Sequence, residues 1–239
     1  MNSTIGQREA FVKNIFDRIA GRYDLLNRII SCHLDTVWRR ELVRALELSG
    51  DGSYVLDLGT GTGDLALAAC QAVGKRGRVL GLDLSWPMLA HAQTKTRTAK
   101  NGARSSYVWG SATAVPFADA SFDAAISAFV LRNIPDLERF FTEAYRVLKP
   151  GGRIATLDMF PPPRGLFSCL YWLYFRGLMP WIGAGLAGDQ RAYRYLADSV
   201  RNFAGPEILA ERIQALGFHN VRTIRYLRGA ICLHVGIKP

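Results

Sequence analysis

The sequence lacks cysteine pairs, long uncharged apolar runs and blocks of like charge. Its four cysteines are scattered over 239 residues, form no C-x-x-C pair and have no histidine nearby at zinc-ligand spacing. The pattern therefore predicts neither a disulfide framework nor a metal site. No segment is of low complexity, and 49% of the residues are hydrophobic against 21% charged, which excludes a disordered or collagen-like chain. We expect a reduced, cytoplasmic protein with a self-sufficient core.

Acidic residues are also in short supply. The chain has 30 Lys and Arg against 20 Asp and Glu, a net charge of +10, and residues 161–239 alone contribute +6 as dispersed arginines. Nucleic-acid-binding arms usually carry contiguous basic blocks, and the sequence has none. We therefore expect no nucleic-acid partner, whereas an anionic membrane surface is compatible with this charge.

No targeting segment is expected, because the N-terminus has no apolar stretch and carries acidic residues early, at Glu9 and Asp17. Only Gly165–Gly188 is long enough to span a bilayer. Arg176 lies near its middle, and Pro180 and five glycines interrupt it. A central charge costs about 2.5 to 3.5 kcal/mol on insertion scales, so we interpret the segment as an aromatic lid or an interfacial segment. A buried helix followed by a Gly-rich loop is the alternative.

The order of predicted elements defines the fold class. Residues 7–48 are helical in pattern, and after a Gly50-Asp51-Gly52 break short apolar strands alternate with helices, as in a parallel sheet covered on both faces. The last two strands are joined by a tight link that leaves no room for a crossover helix, so they must be antiparallel. The sequence predicts an α/β fold with a mostly parallel sheet and an antiparallel C-terminal hairpin. The predicted strands cover 54–58, 78–83, 105–109, 124–129, 153–158, 221–226 and 231–237.

A glycine-rich turn follows the first predicted strand, which contains Asp57. Gly59, Gly61 and Gly63 alternate and are followed by Asp64, a spacing unlike the G-x-G-x-x-G of dinucleotide sites. The glycines let a ligand lie against the backbone. A carboxylate at the helix start is unfavourable for a pyrophosphate, so this turn favours a ligand that carries a cation or an amine.

Asp83 lies 20 residues after Gly63, at the end of the second strand. An acidic side chain there can bind both hydroxyls of a ribose. A ligand with a ribose, a positive charge and no phosphate is S-adenosylmethionine. The alternative interpretation is a tight turn that only packs a helix on the sheet.

With these motifs the chain resembles the class I S-adenosylmethionine-dependent methyltransferases, and further segments resemble the menaquinone/ubiquinone biosynthesis C-methyltransferase family. The resemblance runs from about residue 11 to 239 and implies a Rossmann-like fold with a seven-stranded sheet. It also implies S-adenosylmethionine as the cofactor and methyl transfer to a ring carbon of a polyprenylated quinol, either a demethylmenaquinol or 2-polyprenyl-6-methoxy-1,4-benzoquinol. The segments that carry it are Y-D-L-L-N-R-I-I-S from Tyr23, F-V-L-R-N-I-P-D from Phe129, R-V-L-K-P-G-G-R-I from Arg146 and G-D-Q-R-A-Y-R-Y-L-A-D-S from Gly188.

The resemblance also assigns cofactor positions. Ala128 stands where relatives often have a hydroxyl, and the neighbouring Ser127 is a candidate substitute. Val130 replaces a glycine beside the expected substrate pocket. The positions that match the family's cofactor contacts are Thr62, Asp83, Ser111 and Ala112.

Methylation of a ring carbon requires a group that stabilises the developing phenolate. Arg132 and Asn133 follow the fourth strand, where the acceptor is expected, so we predict that Arg132 stabilises the oxyanion and Asn133 hydrogen-bonds it. The alternative for Arg132 is a surface residue covering a loop. His33 is a further candidate base, with a packing or capping role as its alternative.

Tyr23 and Asp24 belong to the predicted N-terminal lid. We predict that Tyr23 makes a polar contact with the acceptor ring and that Asp24 is a proton acceptor. The alternative is a helix-ending turn that Asp24 and Asn27 cap.

We expect a single domain over residues 1–239. Its parts are a helical lid (1–50), a cofactor-binding core (51–160), an aromatic lid (161–205) and a C-terminal helix with a hairpin (206–239). The aromatic lid would shelter a prenyl tail, and arginines would hold the enzyme at the inner face of a membrane. A homodimer is compatible with the sequence. The side chains expected to shelter the tail are Phe167, Leu170, Tyr171, Trp172, Leu173, Tyr174, Phe175, Leu178 and Trp181.

Two other functions remain open at this point. One is methylation of a different hydrophobic small molecule, and the other is a cofactor-binding scaffold that organises a quinone-synthesis complex without turnover. Methyl transfer from labelled cofactor to a quinol separates the three.

Overall fold

The N-terminal region consists of three helices, as the sequence pattern predicts. A computed structural model describes residues 5–48, 52–178 and 190–239. In it, α1 (Ile5–Ile19), α2 (Tyr23–Ile30) and α3 (Leu34–Ala45) follow one another. A left-handed backbone at Cys32 and His33 (φ 50° and 64°) separates α2 from α3, because a left-handed residue interrupts the right-handed helix.

The sheet has seven strands in the order β3-β2-β1-β4-β5-β7-β6. The strands β1 to β5 pair in parallel, while β7 is antiparallel to both β5 and β6. The predicted fold class and the antiparallel hairpin are thus confirmed. The bounds are β1 Tyr54–Leu58, β2 Arg78–Asp83, β3 Ser105–Trp109, β4 Phe122–Ala128, β5 Leu148–Met159, β6 His219–Tyr226 and β7 Ile231–Ile237.

The strand β5 begins five residues earlier than predicted. The Pro150-Gly151-Gly152 run is typical of a turn, but here it continues the sheet. Backbone hydrogen bonds with Lys238 explain this. The Gly151 N–H donates to Lys238 O at 2.8 Å, and the Lys238 N–H donates to Gly152 O at 2.9 Å. Lys238 lies 87 residues after Gly151 in the sequence, so no local pattern around Gly151 could predict that the strand begins this early.

Helices cover both faces of the sheet. On one face α3 contributes Trp38 and Leu42 to a buried core, and on the other α6 contributes Phe140 and Phe141. Burial on both faces accounts for the nearly continuous apolar run of β1. The helices that follow β1 are α4 Asp64–Ala69, α5 Trp86–Thr98, α6 Leu137–Val147, α7 Leu166–Leu173, α8 Gln190–Arg201 and α9 Pro206–Ala215.

The predicted aromatic lid is described as far as residue 178. It forms α7 and a π-helical turn (Tyr174–Leu178), and Tyr171 and Phe175 are buried in the core on the α3 face. This part is half-buried, because Leu166, Leu170 and Leu173 on the same helix are 57% to 78% exposed. Trp181 and residues 179–189 lie outside the described residues. Within the described ranges, no helix is both long and apolar enough to cross a membrane.

Candidate cofactor and acceptor sites

A cleft of about 760 Å³ lies at the carboxyl ends of the central strands. This is the edge at which parallel α/β sheets bind ligands. The helix α1 and Tyr23 line the side opposite the sheet. The predicted residues that line the cleft are Tyr23, Gly59, Gly61, Asp83, Ser111, Ala112 and Asn133.

The glycine-rich turn has the geometry that its sequence predicts. Gly59, Gly61 and Gly63 all have a positive φ of 54° to 82°, a region that strongly favours glycine. A Cβ at Gly61 would meet no protein atom within 4 Å, so the space beside it belongs to the cleft. At Gly63 a Cβ would lie 2.6 Å from the Tyr107 hydroxyl; this glycine permits close packing rather than ligand contact.

The carboxylate of Asp83 is fixed at the floor of the cleft. Its Oδ2 accepts the Gly61 N–H at 2.8 Å and its Oδ1 accepts the Ser85 N–H at 2.8 Å. Burial raises the pKa of Asp83. A carboxylate has about four acceptor positions, so two remain for a ligand. Fixed acceptors beside an open backbone turn fit the hydroxyls of a ribose, and this arrangement fits the nucleoside part of S-adenosylmethionine.

Five of the predicted cofactor residues do not line the cleft, namely Asp57, Thr62, Gly63, Asp64 and Ser127. The Ser127 hydroxyl donates to Leu58 O at 2.7 Å and is buried, so it joins β4 to β1. The Asp57 Oδ2 accepts the Thr60 hydroxyl at 2.6 Å, and burial raises the pKa of Asp57 to about 7. Both side chains therefore hydrogen-bond to β1 or to the turn that follows it, and neither lines the cleft.

Asp64 forms an ion pair with Lys95, a cation of the protein itself, whereas the sequence analysis expected a cation on the ligand. Lys95 Nζ lies 2.5 Å from Asp64 Oδ1 and 2.7 Å from Asp24 Oδ2. The Thr62 hydroxyl donates to Asp24 Oδ1 and lies 3.1 Å from Lys95 Nζ. These four residues, the Lys95 cluster, tie α2 to the glycine-rich turn. Asp64, Thr62 and Asp24 thus contact Lys95 or one another, and none of the three lines the cleft or the chamber that adjoins it.

A second chamber of about 480 Å³ adjoins the cleft. The two cavities share Phe16, Tyr23 and Asn133, so a ligand in one can meet a ligand in the other. Arg132 also lines the second chamber, whereas Asp24 lines neither. The remaining residues of the second chamber are Ile15, Ile19, Leu26, Asn27, Ile30, Tyr195 and Leu196.

Arg132 is a buried residue, which contradicts the alternative of a surface arginine. Its Nη1 lies 2.7 Å from Asp158 Oδ1 and donates to Phe129 O at 2.7 Å. Burial, the largest single effect, lowers the pKa of the Arg132 guanidinium, but Asp158, Tyr23 and Tyr195 together more than offset it, so the pKa is raised. Its Nε is buried without a hydrogen-bond partner within the described residues, so one donor remains for a ligand.

Asn133 is oriented by a residue that the sequence analysis did not assign. The Tyr195 hydroxyl on α8 donates to Asn133 Oδ1 at 3.0 Å. The amide Nδ2 of Asn27, also in the second chamber, is buried and has no partner among the residues described. Asn27 belonged to the predicted helix-capping turn and Tyr195 to a family segment; neither pattern indicated a contact with the acceptor.

The helix α1 supplies further cleft residues that sequence reasoning missed, namely Glu9, Lys13 and Phe16. The two histidines lie elsewhere. His33 is exposed and lines neither cavity, while His234 is buried in β7 with Nε2 2.9 Å from Pro206 O. Burial lowers the pKa of His234, which favours its neutral form and a structural role.

The first prediction concerns cofactor affinity. Replacing Asp83 by Ala removes the charged acceptor at the cleft floor, so the affinity for S-adenosylhomocysteine should fall by roughly 1.5 to 3 kcal/mol. Isothermal titration measures this. The matched control Ser127→Ala should keep its affinity and lose about 0.5 to 1.5 kcal/mol of unfolding free energy. Unchanged affinity in a folded Asp83→Ala protein would refute the ribose assignment.

The second prediction concerns the Lys95 cluster. Lys95→Met leaves the carboxylates of Asp24 and Asp64 without their shared cation, so S-adenosylhomocysteine should dissociate several-fold faster from a loosened lid. The ion pair is partly exposed, so the loss of unfolding free energy should be only about 1 kcal/mol or less. Stopped-flow dissociation rates test this.

Lys149→Met is the control for that experiment, because it breaks an ion pair with Asp123 (2.7 Å) outside the cleft. If both lysine variants release the ligand at the wild-type rate, the cluster does not hold the lid.

Comparisons with known proteins show which family the chain resembles. Residues 4–238 match the ubiE/COQ5 methyltransferase family. A demethylmenaquinone methyltransferase of Thermus thermophilus is 42% identical over 225 residues, 94% of this chain and 100% of the relative. A ubiquinone/menaquinone biosynthesis C-methyltransferase of Desulfotalea psychrophila is 40% identical over 95% of this chain and 90% of its own length.

Among solved structures, a methyltransferase of Thermotoga maritima, described as a possible histamine N-methyltransferase, superposes with a TM-score of 0.65. It is 20% identical and covers 95% of this chain and 100% of its own. At this identity the likeness shows the fold alone, which is that of an S-adenosylmethionine-dependent methyltransferase. The resemblance seen in the sequence is thus confirmed, and the chain belongs to the ubiE/COQ5 methyltransferase family.

Proposed function

We propose that this protein transfers a methyl group from S-adenosylmethionine to a ring carbon of a polyprenylated quinol in quinone biosynthesis. The observation that carries the proposal is the junction of the two cavities. A cleft with fixed ribose acceptors meets, at Tyr23 and Asn133, an apolar chamber that contains the buried cation Arg132. The named relatives, methyltransferases of demethylmenaquinone and of ubiquinone and menaquinone biosynthesis, support this acceptor class.

S-adenosylmethionine supplies an electrophilic methyl group on a sulfonium centre. The protein must place the ring carbon in line with that methyl group, about 3 to 3.5 Å away, and keep water out. The helix α1 lines the cleft on the side opposite the sheet, through Val12 and Phe16. Their apolar side chains exclude water from the junction.

Arg132 activates the acceptor in this scheme. A positive charge in an apolar chamber favours the ionised form of a nearby hydroxyl and stabilises the phenolate, from which electron density moves to the ring carbon. Asp158 keeps the guanidinium charged and oriented. The new bond would join the ring carbon to the methyl carbon as the bond from that methyl to the sulfonium sulfur breaks, which releases S-adenosylhomocysteine, and the ring proton would pass to bulk solvent when aromaticity is restored. Asn133, held by Tyr195, presents its amide at the junction.

The third prediction tests this role of Arg132. Removing Arg132 alone would leave Asp158 buried and unpaired, which costs about 3 to 5 kcal/mol. The double variant Arg132→Gln/Asp158→Asn removes both charges together. Its kcat should fall by about 10²- to 10³-fold, while its affinity for S-adenosylhomocysteine stays near wild type.

Labelled methyl transfer to demethylmenaquinol and to the methoxybenzoquinol provides the measurement. Full activity of the double variant rules out electrostatic activation by Arg132. Binding of S-adenosylhomocysteine without transfer to either quinol would favour the scaffold alternative, and transfer to other apolar acceptors only would favour the second enzyme function.

Membrane contact is a further part of the proposal. Leu166, Leu170 and Leu173 lie on α7 at the spacing of one helix face and are 57% to 78% exposed. Dispersed arginines give residues 161–239 a net charge of +6. An apolar row with surrounding positive charge fits the surface of an anionic bilayer, where a polyprenyl acceptor resides.

The fourth prediction is that the protein binds vesicles containing anionic lipid and is released by salt, because exposed charges are screened beyond about 8 Å at physiological ionic strength. Leu170→Ser/Leu173→Ser should weaken binding in sedimentation assays. If the same substitutions instead convert a dimer to a monomer and leave vesicle binding intact, the row is a homodimer contact and not a membrane contact.

A further inference from the structure

The second chamber has a wall that the methyl-transfer reaction itself does not require. Ile15 and Ile19 on α1 are spaced by four residues, and Leu26 and Ile30 on α2 repeat that spacing. Side chains four apart lie on one helix face. Each helix therefore presents one turn of aliphatic surface to the same space, and Leu196 on α8 adds a third side.

Two buried donors mark the polar part of the same chamber. Asn27 Nδ2 and Arg132 Nε have no hydrogen-bond partner among the described residues. Buried donors are normally hydrogen-bonded, so both are poised for a ligand that supplies acceptor oxygens. The chamber thus combines places for oxygen atoms with an aliphatic wall.

The described part of the aromatic lid, α7 and the turn after it, offers less to an isoprenoid chain. Tyr171 and Phe175 on the α7 side are packed into the core. Leu170 and Leu173 are exposed on the outside of α7 and line neither cavity. A tail attached to a ring at the junction can therefore be enclosed by α1, α2 and α8 but not by α7.

We propose that the second chamber binds the ring-proximal isoprenoid units of the acceptor, and that Ile19, Ile30 and Leu196 give the enzyme its preference for a tailed quinol. This inference rests on the proposed function and adds the location of the tail. It assigns tail binding to the N-terminal helices α1 and α2 and not, as the sequence analysis expected, to the aromatic lid that contains α7. The helix α7 is then free to contact the bilayer.

The fifth prediction uses two matched double variants. Ile19→Ala/Ile30→Ala shortens two half-buried side chains of the second chamber, neither of which lines the cofactor cleft. Leu170→Ala/Leu173→Ala makes a similar aliphatic truncation on α7. Each is assayed in detergent with a long-tailed quinol and with the same ring lacking a tail, and KM and kcat are measured for both.

We expect the chamber variant to raise the KM for the tailed quinol about ten-fold or more, since a few missing methylenes in an apolar pocket have effects of this size. Its KM for the tailless quinol should change by about two-fold or less, and the α7 variant should change neither. Equal losses on both acceptors, or a tail-dependent loss in the α7 variant, would overturn the proposal.

A melting curve and an S-adenosylhomocysteine titration accompany each variant. If the double chamber variant does not fold, Ile30→Val provides the same comparison with a smaller expected increase, and a KM ratio unchanged from wild type again overturns the proposal. Wild-type protein that methylates neither acceptor contradicts the proposed function instead, so the two failures are distinguishable.

Discussion

The pairing of β1 with β2 on one side and with β4 on the other is the constraint on which both sites depend. The chain order reverses there, so the loops after these strands leave the same edge of the sheet and open a crevice between them. The loop after β1 carries the open backbone at Gly61, β2 ends in Asp83, and the loop after β4 carries Arg132. No other register brings these three groups to one place. The N-terminal helices then only need to cover an edge that the sheet has already assembled.

Charge is used in two different ways around this edge. The pair of Arg132 and Asp158 is buried, so its interaction is weakly screened and the cation is held in place before an acceptor arrives. The Lys95 cluster is partly exposed, and its contribution to folding is accordingly small. A rigid buried charge suits a group that must stabilise a phenolate. A weak exposed one suits a lid that must open for each exchange of cofactor and product.

Sequence reasoning succeeded where the cause was local. Strand periodicity located all seven strands, and the positive φ that G-x-G-x-G permits is present at all three glycines. Asp83 was found from its distance to the turn. Sequence reasoning gave no sign of the hydrogen-bond and ion-pair partners that polar residues find elsewhere in the chain. Ser127 is turned to Leu58, and Asp64 is neutralised by Lys95, 31 residues further along.

The sequence by itself determined the fold class, the edge of the sheet at which ligands bind and the family, because each depends on backbone periodicity, glycine positions or contiguous motifs. The tertiary structure decided which polar side chains face a ligand and which face each other. It also decided which apolar segments line the second chamber and which join the core. The contacts concerned, such as Lys95 with Asp24 and Tyr195 with Asn133, bridge 71 and 62 residues. Their formation depends on how helices dock on the finished sheet, and no local pattern encodes that docking.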